Sequence, residues 1–366
     1  MSRRILQIIP TLDRGGAEKQ LALLAAKLDR REFEVHVCAL TRGGPLAADL
    51  DRGHIPYTVI GKRWKFDPAA FRRLLKYVRS LRPDLVQTWL FAANSYGRLA
   101  ARRAGVPTIL ACERCADRWK ASHELAIDRL LARSTDRIIV NSRGVRDFYV
   151  ARGLPAEKFV VIPNGIELPR QKPILREELL AELKLPPGTR LIGAVGRLWP
   201  QKRIKDLIWA ADLLKVIRDD VHLLVIGDGP LRRRIERFRY LMRIEDKVHL
   251  LGHRDDVPRL MPHFDVLWLA SGYEGLPNSV MEAMSHAVPV VATNIPGNRD
   301  LIEHGKTGYL VSVGDRAAFA RWTQKILDDP QLAQRLGQAG QEKIRREFTI
   351  EKMIDRFSGL YQSLLP

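Results

Sequence analysis

Short apolar runs alternate with segments of helical periodicity along almost the whole chain. The first run is residues 5–9, and a loop closing on Gly15-Gly16 separates it from a helix pattern that begins at Ala17. Further strand candidates in the first half are 34–40, 85–88, 108–111, 137–141 and 159–162, with helix candidates at 68–81, 96–104 and 124–133. Alternation of this kind favours parallel sheets covered by helices.

A change of composition divides the pattern near its middle. Pro163-Asn164-Gly165-Ile166 is typical of a turn, and two further prolines extend a predicted linker over residues 163–175. The alternation then restarts with strand candidates at 191–195, 221–226, 248–251, 266–270, 288–292 and 308–311, and helix candidates at 204–217, 231–242 and 349–364. We therefore predict two doubly wound domains, 1–168 and 169–347, which face a central cleft, and a final helix within 348–366 that packs back towards the first domain.

Size and composition agree with a globular two-domain protein. The 366 residues exceed the length at which single cores usually divide, and 46% are hydrophobic and 28% charged. The sequence has no apolar run near the ~18 residues that span a bilayer, and the first run is too short for a signal sequence. Three cysteines give no disulfide framework, so we expect a cytoplasmic protein.

Positive charge is concentrated in the first half. The formal net charge is +19, and residues 1–168 hold 30 basic and 17 acidic residues. A basic amphipathic helix pattern at 68–82 follows Trp64 and Phe66, which suggests peripheral binding to an anionic membrane surface. The alternative is an ordinary crossover helix whose cations are simply solvated, and both interpretations stay open.

The segment from Glu274 to Glu282 carries the most specific chemistry. Two carboxylates lie eight positions apart, after a buried-strand pattern and across a loop that leads into a helix. Such a loop brings backbone N–H groups, the positive end of a helix and two acids into one crevice. Phosphate would bind the N–H groups and hydroxyls would bind the acids, which describes a nucleotide-sugar site.

Two glycine-containing loops add phosphate-binding potential. Gly196 follows the strand candidate 191–195, and Arg197 and Lys202 in the same loop can contact two phosphate groups. Gly227 opens a second loop, Gly227-Asp228-Gly229-Pro230, which a tight turn explains as well as binding does. Neither loop has the spacing of a nucleotide-triphosphate or dinucleotide motif.

Taken together, these segments resemble the retaining glycosyltransferases of the group 4 family, which have the GT-B fold of two Rossmann-like domains. The resemblance extends over nearly the whole chain, in the family's order. The matching segments are Gly15-Gly16-Ala17-Glu18, Asn141-Ser142, Ile162 to Ile166, Gly196-Arg197-Leu198 with Lys202, Gly227 to Pro230, Glu274 to Glu282, and Gly305-Lys306-Thr307-Gly308.

The resemblance implies a role for each matching residue. Arg197 and Lys202 would hold the donor diphosphate and stabilise it as the leaving group, which makes both catalytic. Glu274 would contact the donor sugar as the catalytic carboxylate, and Glu282 would bind the ribose. The other donor-binding positions implied are Gly16, Gly196, Gly227, Gly275, Leu276, Pro277, Asn278, Ser279 and Val280. The family needs no metal ion or other cofactor, and its donor is a nucleoside-diphosphate sugar, most commonly a UDP-sugar.

One departure concerns the acceptor side. Related sequences often have a histidine in the segment after the fourth strand, where this chain has Ala92. Asn94, Glu113 and Arg114 are the remaining candidates for contact with a glycan or lipid-linked acceptor of cell-envelope polysaccharide or glycolipid synthesis. The sequence does not disclose the sugar or the linkage.

Other functional classes explain less of the sequence. A sugar-nucleotide epimerase would share the fold, but the basic loop with the paired acids favours transfer. Nucleic-acid binding rests on charge alone, without a recognised motif, and leaves Glu274 and Glu282 unexplained. A nicotinamide dehydrogenase would need a glycine fingerprint that this chain does not have.

Overall fold

The computed structural model describes residues 2–169 and 173–365, which form two compact units. The first unit comprises Met1–Gly165 and Ile350–Pro366, and the second comprises Ile166–Thr349. These divisions lie three and two residues from the predicted boundaries at 168 and 347. Part of the predicted linker, residues 170–172, lies outside the described residues.

The first unit is built on a parallel sheet of seven strands. Their order is β3-β2-β1-β4-β5-β6-β7. The strands are β1 Arg3–Thr11, β2 Phe33–Arg42, β3 Tyr57–Val59, β4 Leu85–Trp89, β5 Thr108–Glu113, β6 Arg137–Val140 and β7 Phe159–Val161. The helices are α1 Gly16–Lys27, α2 Ala47–Arg52, α3 Pro68–Leu81, α4 Leu90–Ala104, α5 Ser122–Ala132 and α6 Arg143–Val150.

The second unit has a parallel sheet of six strands, in the order β10-β9-β8-β11-β12-β13. Its first helix is α7 Arg176–Glu182, and the strands are β8 Arg190–Val195, β9 Val221–Ile226, β10 Val248–Gly252, β11 Val266–Leu269, β12 Val290–Thr293 and β13 Tyr309–Val311. The remaining helices are α8 Ile204–Lys215, α9 Arg232–Leu241, α10 Val257–Leu260, α11 Asn278–Ser285, α12 Pro296–Leu301, α13 Arg316–Asp328 and α14 Pro330–Glu347. Two doubly wound Rossmann-like units are therefore present, as predicted.

Local chemistry explains where helices begin and end. The Asp67 carboxylate accepts a hydrogen bond from the Ala70 N–H at 2.9 Å, Pro68 occupies the first turn of α3, and Arg82 ends the helix in a left-handed conformation. Helix α4 departs from this pattern, because it starts at Leu90 directly after β4, and Leu90 has φ +65°. The predicted start at residue 96 missed this abrupt turn.

The last helix, α15 Ile350–Leu364, completes the core of the first unit. The Phe357 ring stacks on Trp89 with a centroid distance of 6.3 Å. The Tyr361 hydroxyl accepts a hydrogen bond from the Gln7 amide and donates one to the Gln87 side-chain oxygen. Within the described part of the chain, none of the helices combines the length and the apolar character needed to span a membrane.

Candidate active site

The topology of the second sheet defines a position where a ligand can bind. Strand β8 pairs with β9 on one side and with β11 on the other, so the strand order reverses between β8 and β11. In open parallel sheets, the loops after two such strands diverge and leave a crevice at the carboxyl edge. The loops that carry Lys202 and Glu274 follow these two strands.

Glycine brings the backbones of this edge into close contact. Gly227 has φ +135°, and a Cβ atom built on it would lie 2.1 Å from the carbonyl oxygen of Gly196. A Cβ on Gly297 of α12 would likewise lie 2.1 Å from the carbonyl oxygen of Gly275. Any side chain at either position would push these loops apart, so both positions require glycine.

An ion pair joins the two central loops. Lys202 Nζ donates to Glu274 Oε1 at 2.5 Å, and the two side chains are only 17% and 10% exposed. Neighbouring hydrogen bonds fix the loops: Gln201 Nε2 donates to the Tyr273 carbonyl at 2.7 Å, and the Gly272 N–H donates to the Gln201 carbonyl at 2.9 Å. A cation and a carboxylate are thus held side by side at the crevice.

The other predicted site residues of the second unit lie close to Lys202 or Glu274 along the chain. Arg197 lies in the same loop as Lys202 and is exposed, with its guanidinium 5.7 Å from the centre of the Trp199 ring. Glu282 lies on α11, the helix that follows the Glu274 loop, and is partly buried. Gly275 to Pro277 are buried before α11, and Asn278, Ser279 and Val280 form its first turn, where N–H groups have no partner within the helix.

Gly16 is the predicted donor contact in the first unit. It is the first residue of α1 and is exposed, and Gly15 caps the helix. A Cβ on Gly15 would lie 2.0 Å from Glu18 Oε2, so Gly15 leaves room for the buried Glu18 carboxylate. The role of Gly16 near the diphosphate stays a prediction.

Asn94 and Glu113 lie in a buried polar cluster rather than on an open surface. Asn94 Nδ2 donates to Glu113 Oε1 at 2.9 Å, and its Oδ1 accepts from the Thr88 hydroxyl at 2.7 Å. Lys120 Nζ donates to both oxygens of Glu113 at 3.2 Å. Asn94 and Glu113 are 0% and 3% exposed, and these hydrogen bonds satisfy their buried polar atoms. Their contact with the acceptor stays a prediction.

The same cluster contains five charged groups. Lys120 also donates to Asp128 and to the Tyr149 hydroxyl at 2.9 Å, and Arg98 pairs with Asp128 at 2.8 Å. Asp117 lies 3.9 Å from Lys120. Burial, followed by the charge of Glu113, raises the pKa of Asp117 to about 7. We call the set Arg98, Glu113, Asp117, Lys120 and Asp128 the unit 1 ion cluster.

Arg114 has a different environment from its neighbour Glu113. Its guanidinium lies 5.0 Å from the centre of the Trp89 ring and hydrogen-bonds to Asn164 in the turn that ends the first unit. Burial lowers the pKa of Arg114 to about 10. Its acceptor role also stays a prediction, while its contacts connect strand β5 to the segment that leaves the unit.

Sequence reasoning missed most of the unit 1 ion cluster. Lys120 and Asp117 lie in the irregular segment between β5 and α5, where polar residues carry no periodic signal. Arg98 could have been found, because it shares the α4 face of Asn94 four residues earlier and donates to the Asn94 carbonyl. Ala92, at the position of the missing histidine, is partly buried in the first turn of α4.

Two observations bear on cofactors. Among residues 2–169 and 173–365, no group of three or more His, Cys, Asp or Glu side chains is arranged to hold a metal ion. The Asp49-Leu50-Asp51 segment, which has the spacing of an Asp-x-Asp metal motif, lies in α2, where Asp49 pairs with Arg52.

Comparisons with known proteins cover both units. The family model for Glycosyltransferase Family 4 matches residues 14–170, and the model for Glycosyl transferases group 1 matches residues 176–343. The Escherichia coli UDP-Gal:alpha-D-GlcNAc-diphosphoundecaprenol alpha-1,3-galactosyltransferase is 29% identical over 97% of this chain and 95% of its own. A GDP-mannose-dependent alpha-mannosyltransferase of Mycobacterium tuberculosis is 30% identical over 66% of this chain and 64% of its own.

A solved structure shares the fold over the full length. The crystal structure of Anabaena HepE in complex with UDP-glucose superposes with a TM-score of 0.88 at 23% identity, covering 98% of this chain and 99% of that chain. The predicted GT-B fold is thereby confirmed.

Proposed function

Because the chain belongs to the group 4 glycosyltransferases, we propose that it transfers a hexose from a UDP-sugar to a glycan or lipid-linked acceptor, with retention of anomeric configuration and without a metal ion. The observation that carries the proposal is the Lys202–Glu274 pair at the point where the strand order reverses. The E. coli relative uses a UDP-sugar and a diphosphate-linked lipid acceptor, as its name states, which supports this choice of donor and acceptor.

The donor would bind along the carboxyl edge of the second sheet. Lys202 and Arg197 would contact the diphosphate, together with N–H groups at the start of α11, where the helix dipole favours negative charge. Glu282 would accept hydrogen bonds from the ribose hydroxyls. The close backbone contact between Gly196 and Gly227 would keep the β8 and β9 loops together at this edge.

The proposed reaction exchanges one bond at the anomeric carbon for another. The bond from this carbon to the diphosphate oxygen breaks, and a bond to the acceptor oxygen forms on the same face. The acceptor proton moves to the departing diphosphate oxygen. Negative charge grows on the diphosphate during this step, and cations that are already fixed stabilise it without reorganisation.

Glu274 would have two roles in this scheme. Its carboxylate holds Lys202 in place before the donor binds, since Nζ and Oε1 are 2.5 Å apart. It would then face the sugar as positive charge develops at the anomeric carbon. Metal independence is part of the proposal, since Lys202 and Arg197 would supply the positive charge that the diphosphate needs.

We also propose a cytoplasmic protein bound peripherally to the inner face of the membrane. Trp64, Phe66 and Trp119 are 66%, 82% and 54% exposed. The loops that carry them both contact α4: the Tyr96 hydroxyl accepts from the Asp67 N–H at 2.6 Å, and Trp119 packs edge-on against Phe91.

This exposed aromatic surface carries positive charge. Lys62, Arg63 and Lys65 alternate with Trp64 and Phe66 in one loop. Aromatic side chains prefer the membrane interface, and cations beside them add attraction to anionic lipid.

Flotation with anionic vesicles should fall in a Trp64→Ser/Phe66→Ser variant. The control variant Val216→Ser/Ile217→Ser, which removes exposed apolar residues from the second unit, should have no effect. Equal flotation of both variants would contradict the membrane proposal.

Nucleotide binding and turnover test the donor proposal separately. UDP should raise the melting temperature more than GDP, ADP or NAD, in the presence of a chelator. The Glu282→Ala variant should lose this shift, whereas Glu274→Ala should keep it and lose release of UDP from a UDP-hexose. If NAD alone stabilises the protein, or if Glu282→Ala leaves the UDP shift intact, the proposed site is wrong.

A further inference from the structure

A second cationic cavity lies in the first unit, at the opposite edge of the sheet from the carboxyl ends of the strands. It has a volume of about 380 Å³ and is lined by Arg102, Val106, Pro107, Ile109, Arg133, Ser134, Thr135, Asp136, Arg137 and Lys158. These residues come from the ends of α4 and α5, from the starts of β5 and β6 and, for Lys158, from the turn before β7. Small-molecule sites commonly have volumes of about 300–1,000 Å³.

Three arginines line the cavity together with a single acidic residue, Asp136. Across the described ranges, Arg102, Arg133 and Arg137 form no ion pair within 4.0 Å, whereas many other arginines, such as Arg4 with Glu34, are paired. Arg137 donates only to the carbonyl of Asp136. Three cations from three different elements therefore converge on one concave surface.

The other polar groups of the cavity have structural partners. The Asp136 carboxylate accepts from the Ile109 N–H at 2.7 Å, and the Thr135 hydroxyl donates to the Leu131 carbonyl at 2.8 Å. Lys158 Nζ donates to the carbonyls of Ala132 and Thr135 at 2.6 Å and 2.8 Å, so it caps the end of α5. A ligand would thus contact the arginines, while Lys158 would add positive charge and keep its hydrogen bonds to the end of α5.

We propose that this cavity, which we call the arginine cavity, binds a phosphate or diphosphate ester at a site separate from the sugar-transfer site. Arginine side chains bind phosphate through paired N–H groups, and among the described residues no carboxylate lies within ion-pair distance of these three. Val106 and Pro107 provide an apolar wall beside the cations, which fits an organic ester better than a bare ion. The ester could be a free metabolite or the headgroup of a lipid, since both present the same chemistry.

Inorganic pyrophosphate is the probe for this site, measured by isothermal titration with the full chain. The Lys202→Met variant should retain saturable binding, because the arginine cavity does not include the donor loop. The Arg133→Gln/Arg137→Gln variant should lose affinity by about tenfold or more, since two paired phosphate contacts disappear. The matched control is Arg233→Gln/Arg234→Gln on α9, which removes the same charge from an exposed helix of the second unit.

Three outcomes would overturn the proposal. These are pyrophosphate binding that does not saturate, binding that is lost in Lys202→Met, and a loss of affinity in the α9 control as large as in the cavity variant. If the cavity variant does not fold, as judged by its melting transition, Arg102→Gln from α4 replaces it with the same expected direction.

Vesicles distinguish the two sources of the ester. Flotation of the protein is measured on phosphatidylcholine vesicles and on vesicles that also contain phosphatidylglycerol. Each measurement is repeated in the presence of pyrophosphate. Release by pyrophosphate, together with loss in the cavity variant, assigns a lipid headgroup. Pyrophosphate binding without any effect on flotation assigns a free ester, and a failure of the UDP experiments leaves either assignment unaffected.

Discussion

Each unit places a lysine–glutamate pair after a central strand, but the two pairs have different surroundings. In the first unit, Lys120 is fully buried and contacts Glu113, Asp128 and the Tyr149 hydroxyl. In the second unit, Lys202 pairs with Glu274 beside glycine-lined loops, and both side chains remain partly exposed. The same two residue types therefore lie in a closed core in one unit and at the proposed donor site in the other.

The difference indicates what each pair can do. A buried ion pair is costly to break, because the remaining charge has no water to solvate it. The Lys202–Glu274 pair is 17% and 10% exposed, so it can exchange one partner for a ligand, and its removal should destabilise folding less than removal of Lys120. Substitutions at the two lysines should therefore separate stability from activity.

The largest expected effect on stability comes from Lys120→Met. The free energy of unfolding of the first unit should fall by about 3–5 kcal/mol, since Glu113 and Asp128 lose their shared cation. Hydrogen exchange followed by mass spectrometry assigns the loss to the first unit. The control is Lys202→Met, which should change protection of the second unit far less, and equal losses would remove the contrast between the two pairs.

The largest expected effect on activity comes from Lys202→Met. Turnover of a UDP-hexose should fall by about 10²–10³-fold, equivalent to ~2.7–4 kcal/mol, because a fixed cation at the leaving diphosphate is lost. Initial rates of UDP release measure this change. A Lys205→Met variant, which removes a cation that lies 4.9 Å from the Phe238 ring on the helix side, should keep the rate within a small factor. A rate unchanged in Lys202→Met would refute the role of the ion pair.

Asp117→Asn should alter the pH dependence of the first unit. The carboxyl of Asp117 loses its proton near pH 3.8 in the unfolded state and at about pH 7 in the folded state. Between these values the folded state binds more protons, so the stability of the wild type falls as the pH rises from 4 to 7. The variant should therefore melt a few degrees above the wild type at pH 8 and lose this advantage at pH 5. A constant difference from pH 5 to 8 would contradict the assigned pKa.

The second unit should show the opposite pH dependence, with the smallest effect. His222 Nδ1 lies 2.9 Å from His249 Nε2, and burial, followed by the charge of Lys247, lowers the pKa of His222 to about 4. The unfolded imidazole binds a proton near pH 6.5, so stability falls as the pH decreases from 6.5 to 4. His222→Gln should flatten this decrease in thermal melts, and an unchanged slope would show that His222 does not contribute.

Much of the second unit could be predicted from its sequence. Its strands are short apolar runs, and residues 221–226 were predicted with the bounds that β9 has. The loops after β8 and β11 carry glycines and charged residues at fixed distances from those strands. Parallel topology then brings the two loops to the same edge, which is why Lys202 and Glu274 meet although they are 72 residues apart.

Less of the first unit could be predicted from its sequence. Helix α3 was predicted with its observed bounds, because Asp67 and Pro68 mark its start and its apolar face is periodic. The start of α4 at Leu90 depends on a left-handed residue that no sequence pattern indicates. Partners of a buried charge such as Lys120 come from distant elements, so tertiary contacts rather than local spacing determine the ion cluster.

The position of α15 has a consequence for synthesis on the ribosome. Trp89 is translated before residues 166–349, but Phe357, which stacks on it, is translated after them. The second unit can assemble while the first still has an uncovered groove, because residues 166–349 are translated before α15. A nascent chain stalled before residue 350 would therefore present Trp89 to chaperones, because the helix that completes its core has not yet been made.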